Sequence, residues 1–343
     1  MPAVTTVEKL YMFFREYRSI MTLGGTFFIL PFVLPYTALA NEVLIFSLAV
    51  VGFDLCLGYT GVMMFCQAAF FGTGAYVTAL TLLHFTQNIF IAILFGVLAA
   101  AIVAVIIGAI ATLRAHTYMI LLTLAFTELV YFIAYQWKGV TGGSDGLTGV
   151  PRPNLEVLGV SLIDLQPSLH YYFFTLFFFL LSFIIIKRIT ISPFGKVLQG
   201  IRENETRAQS IGYNTRLFKL AVFAVGGMFM GLAGSLYTMF INFAHIGNVG
   251  IDISSQIIIM ELIGGMGTLF GPVIGAFVFV IASDIASAYW DRWLLILGII
   301  CIVFVLFARG GIWGLIRNLG ERFLRRNSLR QKVKTTPKTG ILE

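Results

Sequence analysis

The sequence predicts an all-α polytopic membrane protein, with about eight full spans plus a glycine-rich re-entrant or broken-helix hairpin and both termini in the cytoplasm. Three observations carry that prediction. Of 343 residues, 58% are hydrophobic and only 11% charged, against roughly 25% charged in a soluble domain, and mean hydropathy is +0.92. Apolar runs of 18 or more residues recur, each long enough to cross a ~30 Å hydrocarbon core. The charges gather in the intervals between these runs and in a basic tail. Net charge is +7, yet this distribution is that of membrane orientation rather than of a nucleic-acid surface.

A short arm, 1–19, carries Lys9, Arg15 and Arg18. It leads into a first span over Ile20–Leu39, which lacks the small-residue cleavage site of a removable leader. Asn41 and Glu42 separate it from a second span, Val43–Leu57. Gly58-Tyr-Thr-Gly61 interrupts the apolar pattern, and a third span runs to Leu83. The polar turn His84–Asn88 precedes a fourth span, Ile89–Leu113. Arg114 and His116 mark the next boundary, and a fifth span, Thr117–Trp137, contains Glu128. Residues 138–168 form a polar loop rich in Gly and Pro, too short for a domain and long for a connector, which favours a folded-down or functional segment. A sixth span covers Leu169–Ile186, and a seventh Leu217–Phe240.

Ser254–Ile285 is apolar but broken at Gly264, Gly265, Gly267, Gly271 and Pro272. Charge decides how it is arranged. If it dips in and returns as two half-length helices, the last span (Tyr289–Phe307) brings the tail 309–343 back to the cytoplasm. Then 20 of the 23 Lys and Arg lie inside and only Lys138, Arg152 and Arg292 outside, as the positive-inside rule favours. Backbone broken at membrane depth must be buried in protein or line a cavity, so the hairpin should face the interior of the transmembrane domain, 20–308. The break at Gly58–Gly61 is a second of the same kind, and the pair suggests a duplicated architecture with a path between the halves.

The interval 187–219 is the one long polar stretch between strongly apolar segments. It holds seven Lys and Arg against Glu203 and Glu205, which puts it on the cytoplasmic face. Apolar positions at three- and four-residue steps predict one short helix over Gly195–Ile211, stopping at Gly212.

Enzyme chemistry finds no foothold. There is no nucleophile elbow, paired acid motif, metal-ligand cluster or phosphate-binding glycine loop; if ATP drives this protein, another chain binds it. Cys56, Cys66 and Cys301 sit in apolar runs and read as small core residues, and His84, His116, His170 and His245 show no ligand spacing. Three carboxylates fall inside spans: Asp54, Glu128 and Glu261. Each costs roughly 2.5–3.5 kcal/mol to insert, so each should face the interior. They read either as lining of a solute path, with Thr60, Gln67, Gly264 and Gly265 beside them, or as structural carboxyls bonded to backbone or to Thr123 or Thr127. Gly226, Gly227, Gly231 and Gly234 read as close helix packing.

Several of these stretches resemble a known family. Gly195–Gly212 is similar to the cytoplasmic loop of ABC-importer permeases, in which E-A-A-x-x-x-G marks the helix that docks on the ATPase. Ala208 and Gly212 match its last A and its G, Thr206 and Arg207 stand at its first two positions, and Glu205 falls one residue early. LGYTG (57–61), FFGTGAY (70–76), LTLAFTEL (122–129), TGGSDGL (141–147), SIGYN (210–214) and GGMGTLFGPVIG (264–275) together resemble permease subunits of branched-chain amino-acid importers, in particular the longer, M-type subunit. The resemblance covers residues 40–315. It implies a bacterial inner-membrane importer with a second homologous permease, two cytoplasmic ABC ATPases and an extracytoplasmic binding protein. It further implies that ATP binds to the partner subunits and that this chain carries no cofactor or metal. Sister systems handle urea, short-chain amides or aromatic acids.

Under that resemblance Glu205, Arg207, Ala208 and Gly212 belong to the coupling helix, and Thr141, Gly142, Gly143 and Asp145 form an outer contact or gate. The rival readings are a proton-coupled secondary transporter using Glu128 or Glu261, and a passive channel for urea or a small amide.

Overall fold

A computed structural model describes residues 22–113, 116–157, 160–289 and 310–315, with isolated positions at 295, 298, 299 and 302. Helix α1 (Thr22–Val33) is followed by α2 (Thr37–Asp54), which passes into a π-helical turn at Leu55–Tyr59. After a non-helical stretch, α3 (Gln67–Leu80) ends in a second π turn, Thr81–Phe85. Helices α4 (Ile89–Ala111) and α5 (His116–Gln136) lead to the single turn α6 (Lys138–Thr141) and strands β1 (Leu147–Thr148), β2 (Leu155–Val157) and β3 (Val160–Ile163). Then come α7 (Ser168–Ile191), α8 (Pro193–Glu203), α9 (Glu205–Ser210), α10 (Thr215–Ile241), β4 (Phe243–Ala244), α11 (Ile251–Gly264) and α12 (Phe270–Tyr289).

Among the described residues, seven helices are long and apolar enough to cross a bilayer. The expected eighth span, Tyr289–Phe307, lies almost wholly outside the described residues, as do the arm 1–19, most of the tail and Cys301.

Helix α10 is the axis of the bundle, and small residues let its neighbours approach. A Cβ at Gly227 would collide with Ala104 on α4 and one at Gly231 with Ala100; Gly108 of α4 in turn faces Phe223. Residue numbers fall on α4 as they rise on α10, so the two run antiparallel. Gly74 of α3 lies against the Gly231 backbone, and Gly234 against that of Phe71. Pairs Phe46–Tyr237, Gly52–Phe229 and Cys56–Val222 set α2 antiparallel to α10. In lipid no hydrophobic force holds helices together, so close packing through small residues does the work. The four glycines of α10 do what their spacing suggested.

Contacts of Gly24 with Leu180, Phe27 with Phe179 and Phe28 with Phe173 make α1 antiparallel to α7. The start of α1, the turn at Leu55–Tyr59, helices α8 and α9 and the start of α10 therefore share one end of the bundle, here the basic end. The opposite end is closed by the loop after α5: β1 pairs with β4, and Arg152 donates to Met239 O at 3.1 Å, to Gln166 O at 3.3 Å and to Phe240 O, lying over the Tyr171 ring.

Several expectations need correction. The first two spans meet at Leu34-Pro35-Tyr36, not at Asn41–Glu42. Proline lacks an N–H and disfavours helix in the residue before it, whereas Asn41 is fully buried inside α2, its amide donating to Thr37 O and Ser168 O. Helix α7 continues through Lys187 and Arg188. The single helix over 195–211 is two helices, because Asn204 is extended and its side chain caps Arg207 N at 2.9 Å, an N-cap that starts a new helix.

The broken segment forms two helices packed against each other. Gly264 abuts Gly271 and Gly275 abuts Met260, pairs equidistant from the turn, so α11 and α12 are antiparallel. Its arms are unequal, however. Helix α11, with 14 residues, is ~21 Å long and falls short of a bilayer core, whereas α12 is of spanning length.

Candidate functional site

The two glycine-rich breaks, some 200 residues apart in sequence, touch at the basic end. The hairpin turn contains Gly265, Gly267 and Leu269, all with positive φ (112°, 76° and 55°). Gly265 N still donates to Glu261 O at 2.9 Å, but the N–H groups of Gly267 and Leu269 fall outside any helical ladder and need acceptors. Asp54 supplies them. Wholly buried at the end of α2, it accepts from Gly267 N at 2.5 Å through Oδ1 and from Leu269 N at 3.2 Å through Oδ2. Gly58, one turn on, is so close to Asp54 and to Gly267 N that no side chain fits there.

Glu261 of α11 is also fully buried and faces Asp54, with no aligned hydrogen-bond donor on either oxygen among the described residues. Arg202 of α8 brings a positive charge near both carboxyls, its Nη1 donating to Gly58 O. A cavity of about 490 Å³ opens between Gly58, Tyr59, Gln199, Arg202, Glu203 and Gly267.

The other path candidates separate. Thr60 is buried and its hydroxyl donates to Leu55 O at 3.0 Å, closing the π turn. Gln67 begins α3; its Nε2 donates to Met64 O at 2.8 Å, while its buried Oε1 has no partner among the described residues. The stretch between them is held by hydroxyls. Phe65 O accepts from Thr127 and Ser254, Phe65 N donates to Thr123, and Ala68 N donates to Ser254. Thr123 and Thr127 thus serve backbone that has left its helix, not Glu128.

Glu128, expected to face the interior, is exposed on the opposite side of α5, because the threonine stripe takes the inner face. Helix α5 is the least buried of the seven long helices, at 22%. Gly264 and Gly265 lie in the hairpin neck, Gly264 against Gly271 and Gly265 against Gly310.

In the coupling segment, α8 is anchored by buried Leu198 and Ile201. Glu205 Oε1 pairs with the buried Lys219 Nζ at 2.5 Å and accepts from Thr215 Oγ1 at 3.1 Å, tying α9 to the first turn of α10. Ala208 is buried and Arg207 exposed. Gly212 ends the segment with φ 100°. A groove of about 360 Å³ runs between the two helices, lined by Lys196, Gly200, Arg207, Ala208 and Ile211 among others.

At the far end, Thr141 is buried and donates to Ala134 O and Trp137 O. Gly142 and Gly143 take positive φ to make the turn, and Asp145 is exposed. Partial burial of Arg152 lowers its pKa from the usual arginine value.

From sequence, Arg202 and Lys219 are distinguished only as members of a basic loop. One signal was available for Arg202: it adjoins the apolar stripe of an amphipathic helix, where a guanidinium can reach inward. Nothing in the sequence pointed to Gly58 O as its target. No group of three or more His, Cys, Asp or Glu side chains able to hold a metal occurs among the described residues.

Comparison with known proteins fits this architecture. Residues 36–306 match the profile of a family described as "Branched-chain amino acid transport system / permease component". The high-affinity branched-chain amino acid transport system permease protein LivM of Escherichia coli K12 is 23% identical over 297 residues, covering 81% of this chain and 70% of that protein. Its Salmonella typhimurium counterpart is 22% identical over the same shares. A probable LivM of Methanocaldococcus jannaschii is 24% identical over 57% of each chain. No solved structure matches. With most of its length, including both helix breaks and the α8–α9 segment, inside the matched region, the chain belongs to the family of branched-chain amino acid transport system permease components.

Proposed function

We propose that this chain is the transmembrane subunit of an ATP-driven importer that takes branched-chain amino acids across a bacterial cytoplasmic membrane. It works beside a second homologous permease and two cytoplasmic ABC ATPases, with an extracytoplasmic binding protein delivering the solute. The observation that carries this reading is the α8–α9 unit. It is a pair of short helices with one apolar edge tucked under the bundle and a groove facing outward, in a chain whose family transports such amino acids.

The basic end is cytoplasmic in this reading. The start of α1, the hairpin turn and Gly310 gather there with the basic loop, which supports cytoplasmic termini and a hairpin entering from the outside. Closure of the ATPase dimer on ATP moves α9, and the spans re-expose a path between the two permeases. Glu128 fits such a path, since lipid accommodates a carboxylate poorly and the rest of this chain leaves it uncovered.

The test is uptake of labelled leucine, isoleucine and valine into vesicles carrying the complete assembly. The expected result is accumulation that needs ATP, both ATPases and the binding protein. Accumulation by the purified chain alone on a proton gradient would establish a secondary transporter instead. Uptake of urea or a short amide in place of the amino acids would reassign the solute.

A further inference from the structure

The family reading gives α9 as the docking element but leaves open how its motion reaches the path. We propose that Arg202 is the tie: a positioning residue that clasps both helix breaks from the cytoplasmic side and releases them when α8 moves. This rests on the importer reading above.

Three observations support it. First, Arg202 reaches both breaks at once. Its Nη1 donates to Gly58 O, its Cγ and Cα lie 3.0 and 3.5 Å from where a Cβ on Gly61 would be, and its Nη1 stands over Gly267. Second, the groups it joins lie outside regular α-helix: the π turn after α2 and a hairpin turn in which the N–H groups of Gly267 and Leu269 depend on Asp54. Third, its charge is what two buried carboxyls, Asp54 and Glu261, face from the cytoplasmic side. Withdrawing α8 removes the cation and a carbonyl partner together, and the breaks lose what holds them against each other. The backbone of Arg202 is anchored through neighbouring Ile201, while Asn204 separates it from α9, which is fixed to α10 through Glu205. Motion between α8 and α9 is therefore motion of Arg202 relative to the bundle axis.

The experiment uses the complete importer with Arg202→Ala, Arg202→Gln and Arg202→Lys, reading uptake per ATP hydrolysed. A second readout is labelling of Tyr59→Cys by a membrane-impermeant maleimide from the cytoplasmic side, with Cys56, Cys66 and Cys301 replaced by alanine. Arg202→Ala and Arg202→Gln should lower uptake per ATP about tenfold or more, the scale of one lost hydrogen bond to a charged group. Labelling should become fast and independent of nucleotide, and Arg202→Lys should restore part of both. Should the alanine variant fail to assemble, the glutamine and lysine variants decide between the same outcomes. Wild-type coupling and labelling in Arg202→Gln would overturn the proposal. Absence of ATP-driven uptake in the unmutated assembly would overturn the importer reading itself.

Discussion

Asp54 shows how a carboxylate in a membrane span can be retained by its bonds to backbone. Its two oxygens serve N–H groups that the glycine turn leaves outside any helix. Replacing it by alanine strands both donors in a buried site, a loss on the order of 2–4 kcal/mol, and asparagine, with one acceptor oxygen, about half of that. Thermal unfolding of the purified complex should show midpoints in the order wild type, Asp54→Asn, Asp54→Ala, and equal midpoints would refute the structural role. Gly74 makes a sharper case. A Cβ there meets the Gly231 backbone, which has no room to yield, whereas Gly25 has open space around it. Gly74→Val should prevent stable insertion, overpacking of this kind costing about 1–3 kcal/mol or more. Gly25→Ala should accumulate at the wild-type level in membrane fractions.

At the scale of elements, α9 is short, capped by Asn204 and tied to α10 by the Glu205–Lys219 ion pair and by hydrogen bonds of Glu205 and Gln209 with Thr215. Its buried Ala208 faces the groove shared with α8. Ala208→Asp places a charge there, and Gly212→Val strains the φ 100° stop. Both should abolish ATP-dependent uptake, while immunoblots of membranes show the subunit still inserted. Uptake at the wild-type rate would remove α9 from the mechanism.

Helices α4 and α5 offer a contrast in exposed faces. On α4 the face is wholly apolar, with Leu94, Leu98, Ile102 and Ile106 exposed, as lipid contact requires. On α5, Glu128 interrupts Leu121, Leu129 and Phe132. A hydrophilic maleimide should label Glu128→Cys but not Ile102→Cys in the assembled importer. Equal silence at both would put α5 in lipid and remove Glu128 from the path.

For the whole molecule, the sequence made legible everything that depends on a local average. Membrane class, the sites of the long helices and the breaks at Gly58–Gly61 and Gly264–Gly271 follow from hydropathy and backbone chemistry over windows of a helix length. The clustering of basic residues assigned the loop around α8 and α9 to one face. Boundaries were less legible where a polar residue inside a helix mimics a loop. Asn41 looked like a break and is a buried bond donor to Ser168 O, while Pro35 was the real interruption. What only the tertiary structure decided is which buried polar group answers which. Asp54 meets Gly267 across 213 residues and Arg202 meets Gly58 across 144, while Thr123 and Thr127 turn inward and leave Glu128 outside. The physical reason is range. An apolar run reports its own transfer energy, but a hydrogen bond between broken helices exists only once packing has brought their ends together.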